Sequence, residues 1–153
     1  MIKIGRMTDY GTLIMTYLAR DSEQLHAAHE IAQAVGVSLP TANKVLKTLA
    51  RAGLLESQRG IKGGYLLSRT PEQITMADII RALEGPVGLT DCGTAQQPGN
   101  CNRQPSCSVK TNWQRISKAV NDALAGVTLA ELSVPPVHPV HITRQPGQPR
   151  VQL

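Results

Sequence analysis

Two helical periods meet at Gly36-Val37-Ser38, and shortly after the second one ends, three glycines crowd into Gly60-Ile61-Lys62-Gly63-Gly64. A glycine can end a helix in the left-handed conformation at little cost, and a serine placed just beyond it can cap the next helix. The pair therefore locks two helices at a steep angle with almost no slack between them. A glycine-dense pentapeptide between two short segments marks a tight turn between antiparallel strands. Helix, short turn, helix and ribbon in that order predict a winged helix-turn-helix, a mainly α fold with a small β wing.

The flanking periods fit this frame. Apolar residues at Leu13, Ile14, Tyr17 and Leu18 predict a helix over Thr8–Ala19, with Thr8 as its N-cap and Asp9 favourable at the positive end of the dipole. A second helix spans Ala28–Val35 and buries Ile31, Ala32 and Val35, behind the poor capping residue Ala27. Ser38 caps a third, with Pro40 tolerated in its first turn, Val45, Leu46 and Leu49 as its buried stripe, and Gly53 ending it. Leu54–Arg59 and Tyr65–Ser68 are the two strands. Thr75 opens a fourth helix with Met76, Ile79, Ile80 and Leu83 on one side, stopped by Gly85-Pro86. A long helix follows from about Val109 to Gly126, with Trp113, Ile116, Val120, Leu124 and Val127 along one stripe. The chain has no Phe and one Trp, so its core must be aliphatic.

This organisation divides the chain into a winged helix-turn-helix over residues 1–86, a cysteine-containing loop over 87–108, a dimerisation helix region over 109–132, and a tail over 133–153. From Pro135 onward prolines recur without apolar periodicity, so the tail is expected to be disordered.

Lys and Arg outnumber Asp and Glu by 16 to 11, and the placement of that excess matters more than its size. Lys44, Lys47, Arg51, Arg59 and Lys62 face Glu56 alone across the helix-turn-helix and wing. Charge of this kind is either a solvated helix face or a surface that neutralises phosphate. Its coincidence with the helix-turn-helix and the glycine-rich hairpin favours double-stranded DNA. The second helix of such a motif enters the major groove N-terminus first, which places Ser38, Leu39, Thr41, Asn43, Lys44 and Lys47 nearest the duplex. Ser38 suits phosphate, whereas Thr41, Asn43 and Lys44 suit base edges. Arg59 and Lys62 on the wing suit the flanking minor groove.

No apolar run approaches the ~18–20 residues of a membrane span, and the N-terminus lacks the apolar stretch of a secretory signal. A cytoplasmic, nucleoid-associated protein with reduced thiols is expected. There, Cys92, Cys101 and Cys107, spaced C-x8-C-x5-C, read as soft metal ligands or reactive thiols. The paired C-x2-C spacing familiar for zinc is absent, which favours an iron–sulfur cluster; three unrelated loop cysteines are the plain alternative. Three thiolates leave a site one ligand short. Asp91 adjoins a cysteine and is badly placed to share its metal. His26, His29, His138 and His141 are expected at the surface, and Asp9 remains as a carboxylate at a helix start. No nucleotide motif or substrate site is legible, so an enzyme is not expected. A small redox enzyme or cluster carrier would leave the basic motif unused.

Met7-Thr8-Asp9-Tyr10-Gly11, Arg59-Gly60-x-x-Gly63-Gly64-Tyr65-x-Leu67, Ile79 with Leu83-Glu84-Gly85, and the cysteine loop occur in one order over about residues 1–132. In these motifs the chain resembles the Rrf2 family of bacterial regulators, which includes IscR and NsrR. Trp113-Gln114-Arg115-Ile116 most resembles the branch that regulates SUF-type iron–sulfur assembly. The resemblance implies a homodimer whose long C-terminal helices cross through Trp113, Ile116, Val120 and Leu124. It also implies an iron–sulfur cluster on the three cysteines, more 2Fe–2S than 4Fe–4S, and cluster-dependent operator binding. The first cysteine interval is longer than in IscR, and the IscR-type histidine after the last cysteine is replaced by Lys110. An NsrR-type site takes an aspartate near the N-terminus of the partner subunit, and Asp9 matches that position. A repressor of assembly genes is the leading expectation, and a nitric oxide or redox sensor with a 4Fe–4S cluster is the alternative.

Overall fold

The computed structural model describes residues 3–60, 62–90 and 107–134. It contains α1 (Arg6–Leu18), α2 (Ala28–Val35), α3 (Leu39–Arg51), β1 (Leu55–Gln58), β2 (Gly64–Leu67), α4 (Met76–Glu84), α5 (Lys110–Ala125) and α6 (Leu129–Ser133). Single 3-10 turns lie at Ala19–Asp21 and Pro71–Gln73. The fold is mainly helical with one two-stranded wing. Its core is aliphatic, as the composition requires: Ile14, Met15, Leu18, Ile31, Leu46, Leu49, Ile74, Ile79 and Leu129 are all essentially inaccessible. Of the expected tail, residues 133–153, Ser133 instead ends α6, and residues 135–153 lie outside the described residues.

The helix-turn-helix forms where local chemistry dictates. Gly36 ends α2 at φ +70°, and Ser38 Oγ accepts the Thr41 N–H to open α3. Ala27 offers α2 no side-chain acceptor. The Glu30 carboxylate compensates in part by accepting the Ala27 N–H at 3.0 Å. Ala42, Val45, Leu46 and Leu49 turn one side of α3 fully into the core, and the opposite side is left to solvent.

The start of α1 departs from the sequence reading. The helix begins at Arg6, so Thr8 is no cap but a fully buried residue of the first turn. Its hydroxyl donates to Glu84 Oε1 at 2.6 Å, and the Gly5 N–H donates to the same oxygen at 2.7 Å. A carboxylate at the end of α4 thus caps α1 from across the fold and satisfies a donor that no local side chain reaches. The helices touch closely behind this clamp: a Cβ on Gly11 would sit 2.2 Å from Leu83 Cδ1. Of the apolar residues that predict this helix, Leu13 is exposed, whereas Met15, outside that set, is fully buried.

The wing pairs Leu55 with Leu67, Glu56 with Leu66, Ser57 with Tyr65 and Gln58 with Gly64 in antiparallel register. Its root is fastened by His26, whose N–H donates to the Tyr65 carbonyl at 3.0 Å and whose carbonyl accepts the Tyr65 N–H at 2.9 Å. His26 is therefore not the surface residue expected. It is 8% exposed, its ring meets Tyr17 edge-on at 5.3 Å, and its Nε2 lies 3.4 Å from the Asp21 carbonyl oxygen.

Helix α5 does not run off into solvent. The Met76 N–H donates to the Val127 carbonyl at 2.9 Å, and the Leu129 N–H donates to the Ile74 carbonyl at 2.8 Å. Thr128 then caps α6 in a reciprocal box with Glu131, which sinks Leu129 into the core. This short helix is absent from the sequence reading.

Candidate nucleic-acid interface

The outer side of α3 and the facing strands of the wing form an open cleft of about 620 Å³. Asn43, Lys47 and Arg51 line it from the helix, and Gln58, Arg59 and Tyr65 from the wing. Asn43, Lys47 and Arg51 fall four residues apart, so they stack along one row of the helix surface. Lys44, Lys47, Arg51, Arg59 and Lys62 are all exposed, and none is engaged in an ion pair among the described residues. Cations held close together without carboxylate partners form a field suited to a phosphate backbone.

The structure brings together most of the expected DNA-facing residues. Ser38, Leu39, Lys44 and Lys47 are exposed, and Thr41 and Asn43 are half-buried beside them. Ser38 and Thr41 are partly committed to each other, with their hydroxyl oxygens 2.8 Å apart at the helix tip. Arg51, expected only as part of the basic face, and Gln58, not expected at all, join the surface. The place of Arg51 beside Asn43 and Lys47 follows from extending their row one more turn of α3. The part played by Gln58 depends on how the wing folds back over α3, which no local pattern encodes.

The other expected site residues that the structure describes do not line this cleft. Cys107 is a free, half-buried thiol whose carbonyl accepts the Lys110 N–H at 3.4 Å, at the mouth of α5. Cys92 and Cys101, with Asp91, lie outside the described residues. Asp9 is exposed in the first turn of α1. Among the described residues no three His, Cys, Asp or Glu side chains converge on a point. On α5, Trp113 and Ile116 are 38% and 45% exposed, and Val120 and Leu124 are half-buried. The opposite side of the helix holds Ser117, buried, with its Oγ accepting the Leu89 N–H at 3.2 Å. No helix among the described residues is long and apolar enough to cross a membrane.

Lys44→Ala and Arg59→Ala are each expected to weaken operator binding and leave the fold intact, because both side chains are solvent-exposed. Loss of one phosphate contact should flatten the slope of log K against log salt by about one unit, and loss of a base contact should relax specificity by ~1–3 kcal/mol. A salt series by fluorescence anisotropy separates the two. Wild-type binding by both variants would show that the DNA face has been misplaced.

The model of the Rrf2 family of iron-dependent transcriptional regulators matches residues 4–135. Protein aau3 of Rhizobium meliloti is 31% identical over 131 residues, covering 86% of this chain and 84% of that protein. Among solved structures, the chain is similar to CymR, the global cysteine regulator of B. subtilis, with a TM-score of 0.67 and 34% identity over 87% of this chain and 97% of that one. It is also similar to T. potens IscR, with a TM-score of 0.64 and 30% identity over 86% and 85% of the two chains.

Proposed function

Since the chain belongs to the Rrf2 family of transcriptional regulators, we propose that it is a homodimeric repressor that senses an iron–sulfur cluster and controls SUF-type assembly genes. It acts in the cytoplasm on double-stranded operator DNA. The observation that carries this reading is the place of Cys107, a free thiol at the mouth of the helix that bears the exposed apolar stripe.

The donor set fits a cluster. Cys92, Cys101 and Cys107 offer three soft thiolates in a segment containing Gly93, Pro98, Gly99 and Pro105, which can wrap a small inorganic core. One further ligand is needed, and an exposed Asp9 on a partner chain is free to approach from outside. When bound, the cluster supplies an oxidisable centre whose loss reports scarcity. Trp113, Ile116, Val120 and Leu124 pair α5 with its copy and hold the two α3 helices at a separation near the ~34–36 Å of one DNA turn. Release of Cys107 changes the constraint at the N-terminal end of α5. The two states then differ in operator affinity, as coupling between two sites requires.

Anaerobic purification tests this, with visible spectroscopy, iron and sulfide counts, and operator affinity of loaded and stripped protein. Cys92→Ala, Cys101→Ala and Cys107→Ala should each give a colourless, folded dimer. Two irons and two sulfides per site support the leading reading, and four of each the nitric oxide alternative. A colourless wild type after anaerobic reconstitution, or one holding stoichiometric zinc, overturns cluster sensing. Asp9→Asn should alter the visible circular dichroism and shorten the cluster's lifetime in air. A mixed dimer of an Asp9→Asn chain with a chain lacking all three cysteines should look wild type, because its one thiolate site faces an intact Asp9. A perturbed spectrum there would place Asp9 in the site of its own chain.

A further inference from the structure

We propose that Leu39 is a specificity-determining residue that reads thymine methyl groups in the operator, one helical turn from an adenine read by Asn43. The proposal rests on the reading that α3 enters the major groove.

On α3 the apolar residues Ala42, Val45, Leu46 and Leu49 are completely buried, and Leu39 alone among its large hydrophobics stands 44% exposed. A single exposed leucine ordinarily carries no meaning. Here its position does. Leu39 is the first residue of the helix and is followed by Pro40, also exposed, so the two form one apolar tip at the end that meets DNA first. The hydroxyls beside that tip are partly spent: Ser38 Oγ accepts the Thr41 N–H and bonds the Thr41 hydroxyl. What the tip presents outward is therefore chiefly hydrocarbon.

In the major groove the hydrocarbon feature that distinguishes one base from the others is the thymine 5-methyl group. Leu39 and Asn43 are four residues apart on the same row that continues to Lys47 and Arg51. Four residues rise ~6 Å along a helix, and successive bases rise ~3.4 Å, so the two side chains meet base pairs about two steps apart. Asn43 has the donor and acceptor that pair with adenine N7 and N6. Farther along the row, Lys47 and Arg51 reach the cleft and phosphate. The helix thus grades from methyl reading at its tip, through adenine, to backbone charge.

The test uses full-length protein and a duplex that it selects from a random-sequence library. Each thymine of the half-sites is replaced in turn by deoxyuridine, which removes only the methyl group. At one thymine per half-site, the loss should weaken wild-type binding about three- to tenfold. Leu39→Ala should bind the thymine and uridine duplexes equally, at the weaker level, with an unchanged circular dichroism spectrum and unfolding midpoint. Leu39→Met keeps an apolar arm and should retain the methyl dependence. If wild type ignores every uridine while Lys44→Ala still weakens binding, the reading of Leu39 fails and the DNA face stands. A methyl effect that persists undiminished in Leu39→Ala also overturns it. If Lys44→Ala and Arg59→Ala bind like wild type, the DNA face fails and Leu39 with it.

Discussion

Leu129→Ala is expected to destabilise the winged helix by about 2–5 kcal/mol, although the residue lies beyond the long helix α5. Leu129 is completely inaccessible and belongs to the same buried cluster as Ile14, Leu18 and Ile74. Truncation removes its transfer free energy and leaves a cavity that the neighbouring helices refill only in part. The backbone cannot move aside easily, since the Leu129 N–H is bonded to the Ile74 carbonyl and Thr128 is bridged to Thr75. Such a loss is a large fraction of the 5–15 kcal/mol that holds a typical domain together. Urea unfolding followed by far-ultraviolet circular dichroism measures it. Val134→Ala, at a residue 59% exposed one turn farther on, should shift stability by less than about 0.5 kcal/mol. Equal effects at the two positions would show that α6 does not dock into the core.

Gly64→Ala should damage both stability and DNA binding. A Cβ at this position would lie 2.4 Å from the His26 carbonyl oxygen and 2.7 Å from its carbon. Both atoms are backbone and are held by the paired bonds to Tyr65, so no rotamer change relieves the clash. Overpacking of this kind costs about 1–3 kcal/mol, and each backbone hydrogen bond broken to relieve it adds ~0.5–1.5 kcal/mol. The wing would pivot away from α2, carrying Arg59 and Lys62 with it, and operator affinity should fall by at least tenfold. Gly60→Ala provides the comparison. It strains the backbone at φ +121° but meets no atom within 4 Å, so it should perturb the turn and leave the wing root in place. Full operator binding by Gly64→Ala would show that the wing is not fixed through His26.

These two residues mark where sequence reading stops. The bounds of α2, α3 and α4 were legible because their signals are local: Gly36 and Ser38 between the first two, Gly53 after α3, Thr75 before α4. The start of α1 was misread because its cap is Glu84, a residue from the far end of the domain that no window around Thr8 contains. His26 was misread for the same reason, since its burial depends on Tyr17 and Tyr65 arriving from two other elements. Leu129 follows a glycine and a threonine that end one helix and cap another, and the pattern alone gives no hint that α6 returns to the core. At the interface, the cationic residues and the apolar tip were visible as residue types. The cleft that joins Asn43, Lys47 and Arg51 to Gln58 and Arg59 exists only after the wing folds over the helix.

The docking of α6 also gives α5 the mechanics of a lever. Its C-terminal end is pinned by Val127 and Leu129 to the strand-like segment before α4, inside the same packed body that carries α3. From that pivot to Lys110 the rod spans 16 residues, or ~24 Å, and swinging it by only ~5° carries its tip through about 2 Å. The tip is where Cys107 sits, and between pivot and tip α5 packs along α4 and Ser117 Oγ accepts the Leu89 N–H. Under the proposed sensing, a displacement of the Cys107 sulfur would load α5 against that pivot and against α4. Leu129 and the buried residues of α3 share one packed core, so under the proposed sensing such a load would reach the recognition helix through side-chain packing and need no hinge.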